Sequence, residues 1–295
     1  MRQRKPVVRS RSKNRKIKSD IMQKKDFQIV VLAKQVPDTK NVGKDAMNAD
    51  GTINRAALPA IFNPDDMKAL EMALMCRDRI KAENNIDVKV TVITMGPPRA
   101  SEIIREALYR GADNGFVVSD KRFAASDTLA TSYALSMAIK KLGHYDVVFT
   151  GRQAIDGDTA QVGPQTAEKL DVPQITYADE LVAVTPETIR LKRVLQHGIE
   201  VVEANLPALV TVHGNAHECR SRHAHLVIKK KNTEIPMWTA DDINPDFERL
   251  GLKGSPTKVK NIENVVLTKK ESITINSDDE GIKGLIEDLT ASHIF

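Results

Sequence analysis

The hydrophobic pattern changes register along the chain, and each change marks an element. From Phe27 to Lys34 (FQIVVLAK) it is a short β-branched run without alternation, as expected for a strand buried on both faces of a parallel sheet. Asn48 to Gly51 reads as a turn. Asn63-Pro64 then supplies an N-cap and an N1 proline for a helix with Met67, Leu70, Ala73 and Leu74 at helical spacing, ending near Lys81. Val88 to Met95 predicts a second strand, broken by Gly96-Pro97-Pro98 before a helix carrying Ile103, Ile104, Ala107 and Leu108 and closed by Gly111. Phe116 to Val118 is a third, short strand. Asp127 is placed to cap a helix from Thr128 to Leu142, whose stripe includes Tyr133, Met137 and Ile139, and Asp146 to Thr150 forms a fourth strand.

Strands alternating with helices of crossover length predict an α/β fold with a doubly wound, mostly parallel sheet, whose ligands sit at the carboxyl ends of the strands. After Leu170 the helices stop. Leu181 to Val184, Thr188 to Val194, Ile199 to Val202 and Ala208 to His213 read as strands joined by short turns, extending the same domain by antiparallel pairing. From Arg220 the text is polar and irregular, up to an amphipathic segment at Ile282 to Leu289. Such a stretch buries little apolar surface alone, so it is expected to wrap a partner or its own body.

The net charge of +5 changes meaning once it is located. Residues 1–25 hold eleven Lys or Arg against Asp20, a surplus of ten that leaves the remainder at −5. The folded part therefore gives no electrostatic reason to expect nucleic acid. The basic segment reads as a disordered extension, with Met22 the expected natural start. No run is long and apolar enough to span a bilayer. Cys76 and Cys219 lack metal-site spacing, which argues against structural zinc and fits a reducing cytoplasm, with Cys76 a small core residue.

No nucleophile and base stand out as a pair, and no catalytic residue is assigned. His213, His217, His223 and His225 fall in irregular sequence and read as solvated or interface histidines. Neither GxxxxGK[ST] nor GxGxxG occurs. What remains is Gly151 to Gln165 (GRQAIDGDTAQVGPQ), just past the fourth strand and leading into a helix that ends near Leu170. Small residues at Gly157, Thr159, Ala160 and Gly163 leave amides accessible, and a helix N-terminus favours an anion. Asp156 and Asp158 suit phosphate poorly; they are expected to cap the helix, brace the loop or bind ribose hydroxyls. On local physics alone the segment reads equally as an ordinary strand-to-helix connection.

The segment resembles the nucleotide-binding signature of electron-transfer flavoprotein beta subunits. The similarity continues in order through Val31-Leu-Ala-Lys-Gln-Val-Pro37, Asn63-Pro64, Val92-Ile-Thr-Met-Gly-Pro97, Arg110-Gly-Ala-Asp113 and Gly254-Ser-Pro256. The resemblance implies an adenine nucleotide alpha-hydrolase-like domain over 26–218. It implies a docking loop and C-terminal arm over 219–295, and a heterodimer with an alpha subunit carrying its own FAD. Carried over by motif, the nucleotide is expected at Leu32, Ala33, Asn63, Pro64, Asp65, Asp66, Met95 and across Ala154, Ile155, Asp156, Gly157, Asp158, Thr159, Ala160, Gln161, Val162, Gly163, Pro164 and Gln165.

Asp156 to Pro164, with Ser126 to Ser132, is similar to family members that hold a whole FAD, take a hydride from NADH and bifurcate electrons. Other members hold AMP as a structural ligand. In the FAD reading Asp127, Thr128 and Thr131 join the site, the two threonines offering hydroxyls to a flavin or simply bonding within their helix. Arg220, Arg222, His223 and Ala224 match the family's dehydrogenase-docking loop, with polar or small residues in place of its branched apolar anchor. Asp65 stands where the family has an aromatic. A standalone ATP-binding regulator of the same sheet architecture is the reading from another class.

Overall fold

The computed structural model describes residues 26–38, 58–84, 86–258, 272 and 274–294. The readings made on residues 1–25 and on Asn48 to Gly51 fall outside them. The chain builds β1 (Asp26–Leu32), β2 (Gln35–Pro37), β3 (Ala60–Phe62), α1 (Pro64–Asn84), β4 (Asp87–Met95), α2 (Ser101–Arg110), β5 (Asn114–Val118), α3 (Thr128–Leu142), β6 (Val147–Gly151) and α4 (Val162–Leu170). There follow β7 (Gln174–Val184), β8 (Thr188–Leu195), β9 (Gly198–Asn205), β10 (Ala208–Val212), α5 (Ala224–Lys230), β11 (Met237–Trp238) and α6 (Asp279–Ala291). No helix among the described residues is long and apolar enough to cross a membrane.

One sheet runs in the order β11-β5-β4-β1-β6-β10-β7-β8-β9. From β11 to β7 every pairing is parallel. Successive side chains of β1 serve opposite faces. Ile29 and Val31 enter a core with Leu70 and Leu74 of α1 and Ile104 of α2, whereas Val30 and Leu32 enter a second core with Tyr133 and Ile139 of α3 and Ala167 of α4. That is why the Phe27 run is apolar without alternation, and it makes the sheet doubly wound as expected. The strand order reverses between β1 and β6, which puts their carboxyl ends on either side of a crevice.

The expectation of antiparallel pairing beyond Leu170 holds only in part. β7, β8 and β9 form an antiparallel meander, but β10 inserts between β6 and β7 and runs parallel to both. The physical reason is composition: every residue of Ala-Leu-Val-Thr-Val is buried, the pattern of a central strand with both faces covered.

The first half of the expected arm lies over its own body. The Arg220 guanidinium donates to Glu71 of α1 at 2.9 to 3.2 Å and to Asp78 at 2.9 Å. Arg222 Nε donates to Glu106 Oε2 of α2 at 2.9 Å, and Lys230 Nζ of α5 reaches the carbonyls of Ala112 and Asp113. β11 then extends the sheet at β5, where Trp238 stacks on Phe116 with ring centroids 4.2 Å apart. Ala240, Ile243 and Leu250 join the second core, so the main domain's packing continues past the 218–219 boundary. The amphipathic segment at Ile282 to Leu289 falls within α6, which buries no residue.

Candidate functional site

The crevice is framed by the segment after β1, the start of α1, the segment after β6, and the N-termini of α3 and α4. Asn63 and Asp66 hold the first three together. Asn63 precedes Pro64 at the helix start, but its carboxamide leaves its own helix: Nδ2 donates to Gln153 O at 2.8 Å and Oδ1 accepts Ile155 N–H at 3.2 Å. Asp66 is buried and accepts Lys34 N–H on Oδ2 at 2.8 Å and Gly151 N–H on Oδ1 at 2.9 Å. Burial pushes its carboxyl up to about 7, against the lowering effect of those N–H donors and of Asn63. Gly151 itself admits no side chain, since a Cβ there would lie 2.6 Å from the Asp65 and Asp66 backbone.

The loop from Arg152 to Gln161 is braced from inside. Gly157 and Asp158 donate their amides to Ala154 O, closing a turn. Gln153 Nε2 donates to Asp158 Oδ1 at 2.7 Å, and Lys34 Nζ meets both oxygens of Asp156 at 2.7 and 2.8 Å. Of the roles expected for the two aspartates, bracing is the one seen, while capping is not: no side chain caps α4. Asp158 (φ 48°) and Ala160 (φ 53°) occupy the left-handed region, which costs about 1 kcal/mol or more for a residue with a Cβ. Ala160 is followed by Gln161 in the right-handed region, the alternation that converges backbone N–H groups into an anion-binding concavity.

Gly157 and Gly163 differ in role. A Cβ on Gly157 would meet nothing within 4 Å, so this glycine opens onto free space. A Cβ on Gly163 would lie 2.6 Å from Thr211 Cγ2 and 3.0 Å from Thr150 Cγ2. Gly163 therefore lets α4 sit close on β6 and β10, a packing role the sequence did not separate from ligand clearance. Val162 packs against the second core, Thr166 back-bonds to its carbonyl, and Pro164 offers no N–H, so the α4 N-terminus presents the amides of its first two residues.

α3 meets α4 through matched side chains four residues apart on each helix. Thr128 Oγ1 donates to Gln161 Oε1 at 2.7 Å, and Ser132 Oγ to Gln165 Oε1 at 3.2 Å. The Asp127 carboxylate caps α3 through Leu129 N–H and Ala130 N–H and takes both donors of Thr257 on its other oxygen. Thr131 is partly buried one turn in.

The expected nucleotide residues Leu32, Ala33, Asn63, Pro64, Asp65, Asp66, Asp127, Thr128, Thr131 and 154–165 thus share one sheet edge, with Met95 at the carboxyl end of the neighbouring β4. Arg220, Arg222, His223 and Ala224 do not approach it; they lie against α1 and α2. Lys34, Arg152 and Gln153 also line the crevice without having been expected there as ligand contacts, although Lys34 falls within the Val31 to Pro37 motif and Arg152 and Gln153 within Gly151 to Gln165.

Two buried polar atoms beside the crevice lack hydrogen-bond partners. Asp65 Oδ2 and Arg152 Nε face each other at 3.8 Å, too far for a hydrogen bond. Burial raises the Asp65 carboxyl above its ordinary value while Arg152, Gln153 N–H and His213 oppose the rise. An uncapped helix start, converging amides and open space beside Gly157 fit a phosphate group. No group of His, Cys, Asp and Glu among the described residues could hold a metal ion.

The description "Electron transfer flavoprotein domain" matches residues 50–243. An electron transfer flavoprotein subunit beta of Clostridium acetobutylicum is 48% identical over 232 residues, covering 79% of this chain and 86% of the relative. A caffeyl-CoA reductase-Etf complex subunit of Acetobacterium woodii is 40% identical over 269 residues, 91% of this chain and 100% of the relative. The acryloyl-CoA reductase electron transfer subunit gamma of Anaerotignum propionicum is 39% identical over 278 residues, again 91% and 100%. On this similarity across nearly its whole length, the chain belongs to the electron transfer flavoprotein family, among its beta subunits.

Proposed function

We propose that this chain pairs with an alpha subunit carrying its own FAD and holds a second FAD in the β1/β6 crevice, with AMP as the alternative occupant. The observation that carries this reading is the loop from 151 to 161, tied down at Gly151, Gln153 and Ile155 yet open beside Gly157 and uncapped at α4. FAD when bound would supply the capacity to take a hydride from NADH and release electrons singly. The chain's own residues bind and orient it. The backbone of Ala160 to Gly163 meets phosphate, Gly157 leaves room, and Thr128 and Thr131 lie along α3 where hydroxyls can turn to a ring system.

Electrons then pass to a flavin-dependent dehydrogenase, and two relatives are named for reductases acting on CoA esters. The docking surface is the stretch from Arg222 through His223, Ala224 and α5, where Ile228 stands 72% exposed and supplies an apolar anchor four residues beyond the expected place. Arg220 serves it from behind through Glu71. Two cysteines without a disulfide accord with work in a reducing cytoplasm.

The test is the cofactor content of the heterodimer purified with its alpha subunit. Two FAD per heterodimer is the expected result. One FAD with one AMP would retain the carrier and remove bifurcation, and a beta subunit without any nucleotide would overturn the reading.

A further inference from the structure

At the crevice mouth the two chain segments that frame it are joined through side chains: the exposed Lys34–Asp156 pair outside, and Asn63 and Asp66 inside. Lys34 follows β1 and Gly151 ends β6, and both present their N–H groups to the Asp66 carboxylate, one to each oxygen. Asn63 bridges the same segments beside it: its backbone N–H donates to Lys34 O, while its carboxamide donates to Gln153 O and accepts Ile155 N–H. Every polar atom of these two side chains is therefore used by the protein, and neither is free for ribose or phosphate.

We propose that Asp66 is a positioning residue that joins the two jaws of the nucleotide crevice, and that opening of the crevice releases the Asp66 carboxyl to water together with both jaws. The proposal rests on the crevice being the nucleotide site, as read above. Backbone pairing of β1 with β6 ends at Leu32 and Thr150; beyond it the two N–H groups, from segments 32 positions before Asp66 and 85 after it, are tied to one another by Asp66, with the exposed Lys34–Asp156 pair outside. Removing both acceptors leaves the buried Gly151 amide and the partly buried Lys34 amide unpaired, which favours the admission of water at the junction.

Opening is then coupled to a proton. The charged groups around the junction are Asp65 and Lys68 on α1, Lys34 after β1, Arg152 and Asp156 after β6, and His213 after β10. Lys34 is turned onto Asp156, and Lys68 onto Ala216 O and Glu218. Arg152 and His213 act on Asp65, and Asp65 bears on Asp66 as a like charge. The buried Asp66 carboxyl keeps its proton up to about pH 7, whereas a wetted one titrates near 3.8, so the closed crevice binds the extra proton. Opening is favoured as pH rises between those values, by up to about tenfold per unit, and levels off above the upper one.

The experiment uses the nucleotide-loaded heterodimer, with nucleotide release followed after dilution between pH 5.5 and 8.5 and amide hydrogen exchange, corrected for intrinsic rates, read at Lys34 and Gly151. Wild type should release nucleotide faster as pH rises to about 7 and no further. Asp66→Ala should deprotect the Lys34 and Gly151 amides together and release nucleotide at least about tenfold faster, the scale of one lost buried hydrogen bond. Asp66→Asn, which keeps the shape without the titration, should lose the pH profile whatever its absolute rate. Release independent of pH in wild type, a profile surviving in Asp66→Asn, or deprotection of only one amide would overturn the proposal. Coupled deprotection in a beta subunit that carries no nucleotide would instead leave Asp66 as the joint and refute the site reading.

Discussion

Lys34 and Asp156 stand 122 positions apart in the sequence and meet side chain to side chain, Nζ lying 2.7 and 2.8 Å from the two carboxylate oxygens. The pair closes the crevice mouth between the segment after β1 and the loop after β6. It is largely solvated, with the lysine side chain 48% exposed, so its contribution to folding is at most about 1 kcal/mol. Lys34→Gln should leave the urea midpoint nearly unchanged and weaken nucleotide retention, and Asp156→Asn, which frees the lysine for phosphate, should strengthen it. Isothermal titration on nucleotide-stripped protein checks both signs; equal effects of the two substitutions would refute the arrangement.

Gly157 and Gly163 offer a paired contrast. Gly163→Ala drives a Cβ against two β-branched threonines whose methyls are held in the sheet, and should cost about 1–3 kcal/mol in chemical denaturation. Gly157→Ala meets open space and should be neutral to slightly stabilising, by under about 1 kcal/mol, through the unfolded chain. Nucleotide content should move the other way, with Gly157 the position whose larger substitutions, such as Gly157→Leu, exclude the ligand from an otherwise stable fold.

Glu71 is buried and takes three donors of Arg220, including its backbone N–H at 2.9 Å. Glu71→Gln removes the negative charge and one of the two acceptor oxygens facing the guanidinium, leaving Asp78 as its charged partner, and should destabilise by about 1–3 kcal/mol, less than for a fully buried pair because Arg220 keeps some water. Because Arg220 begins the stretch that carries α5, trypsin cleavage at Lys229 to Lys231 should accelerate before global unfolding. Unchanged cleavage kinetics would mean that α5 is held by Lys230 and His223 without this pair.

The Asp66 carboxyl makes a prediction about stability that needs no ligand. Its folded pKa is raised from 3.8 to about 7, so its stabilising contribution is full below about pH 4 and is lost as pH rises to about 7. Urea unfolding of wild type and Asp66→Asn across that window should differ by an amount that grows with pH in favour of the variant, on a scale of roughly 1.4 kcal/mol per unit of pKa shift. A difference that stays flat would show that Asp66 is ionised throughout.

The alternation of strands and helices, the cap at Asp127 and the location of the crevice were legible in the sequence, because each rests on local spacing: β-branched runs, helical stripes and a loop placed after a strand. The ordered motifs likewise carried the family. The placement of β10 was not legible, since a short run of four apolar residues and one threonine states that both faces are covered and not which neighbours cover its edges. Nor was the division of labour inside the motif Asn63 to Asp66. Read along the chain, its polar groups looked available to a ligand. In the folded protein the side chains of Asn63 and Asp66 bond to Lys34, Gly151, Gln153 and Ile155. The sequence by itself determined that an α/β sheet would present this loop at its carboxyl edge. Only the tertiary structure decided which side chains build the crevice and which are left to face its contents, because that choice is made by hydrogen bonds between segments 32 to 122 positions apart, about which local propensity is silent.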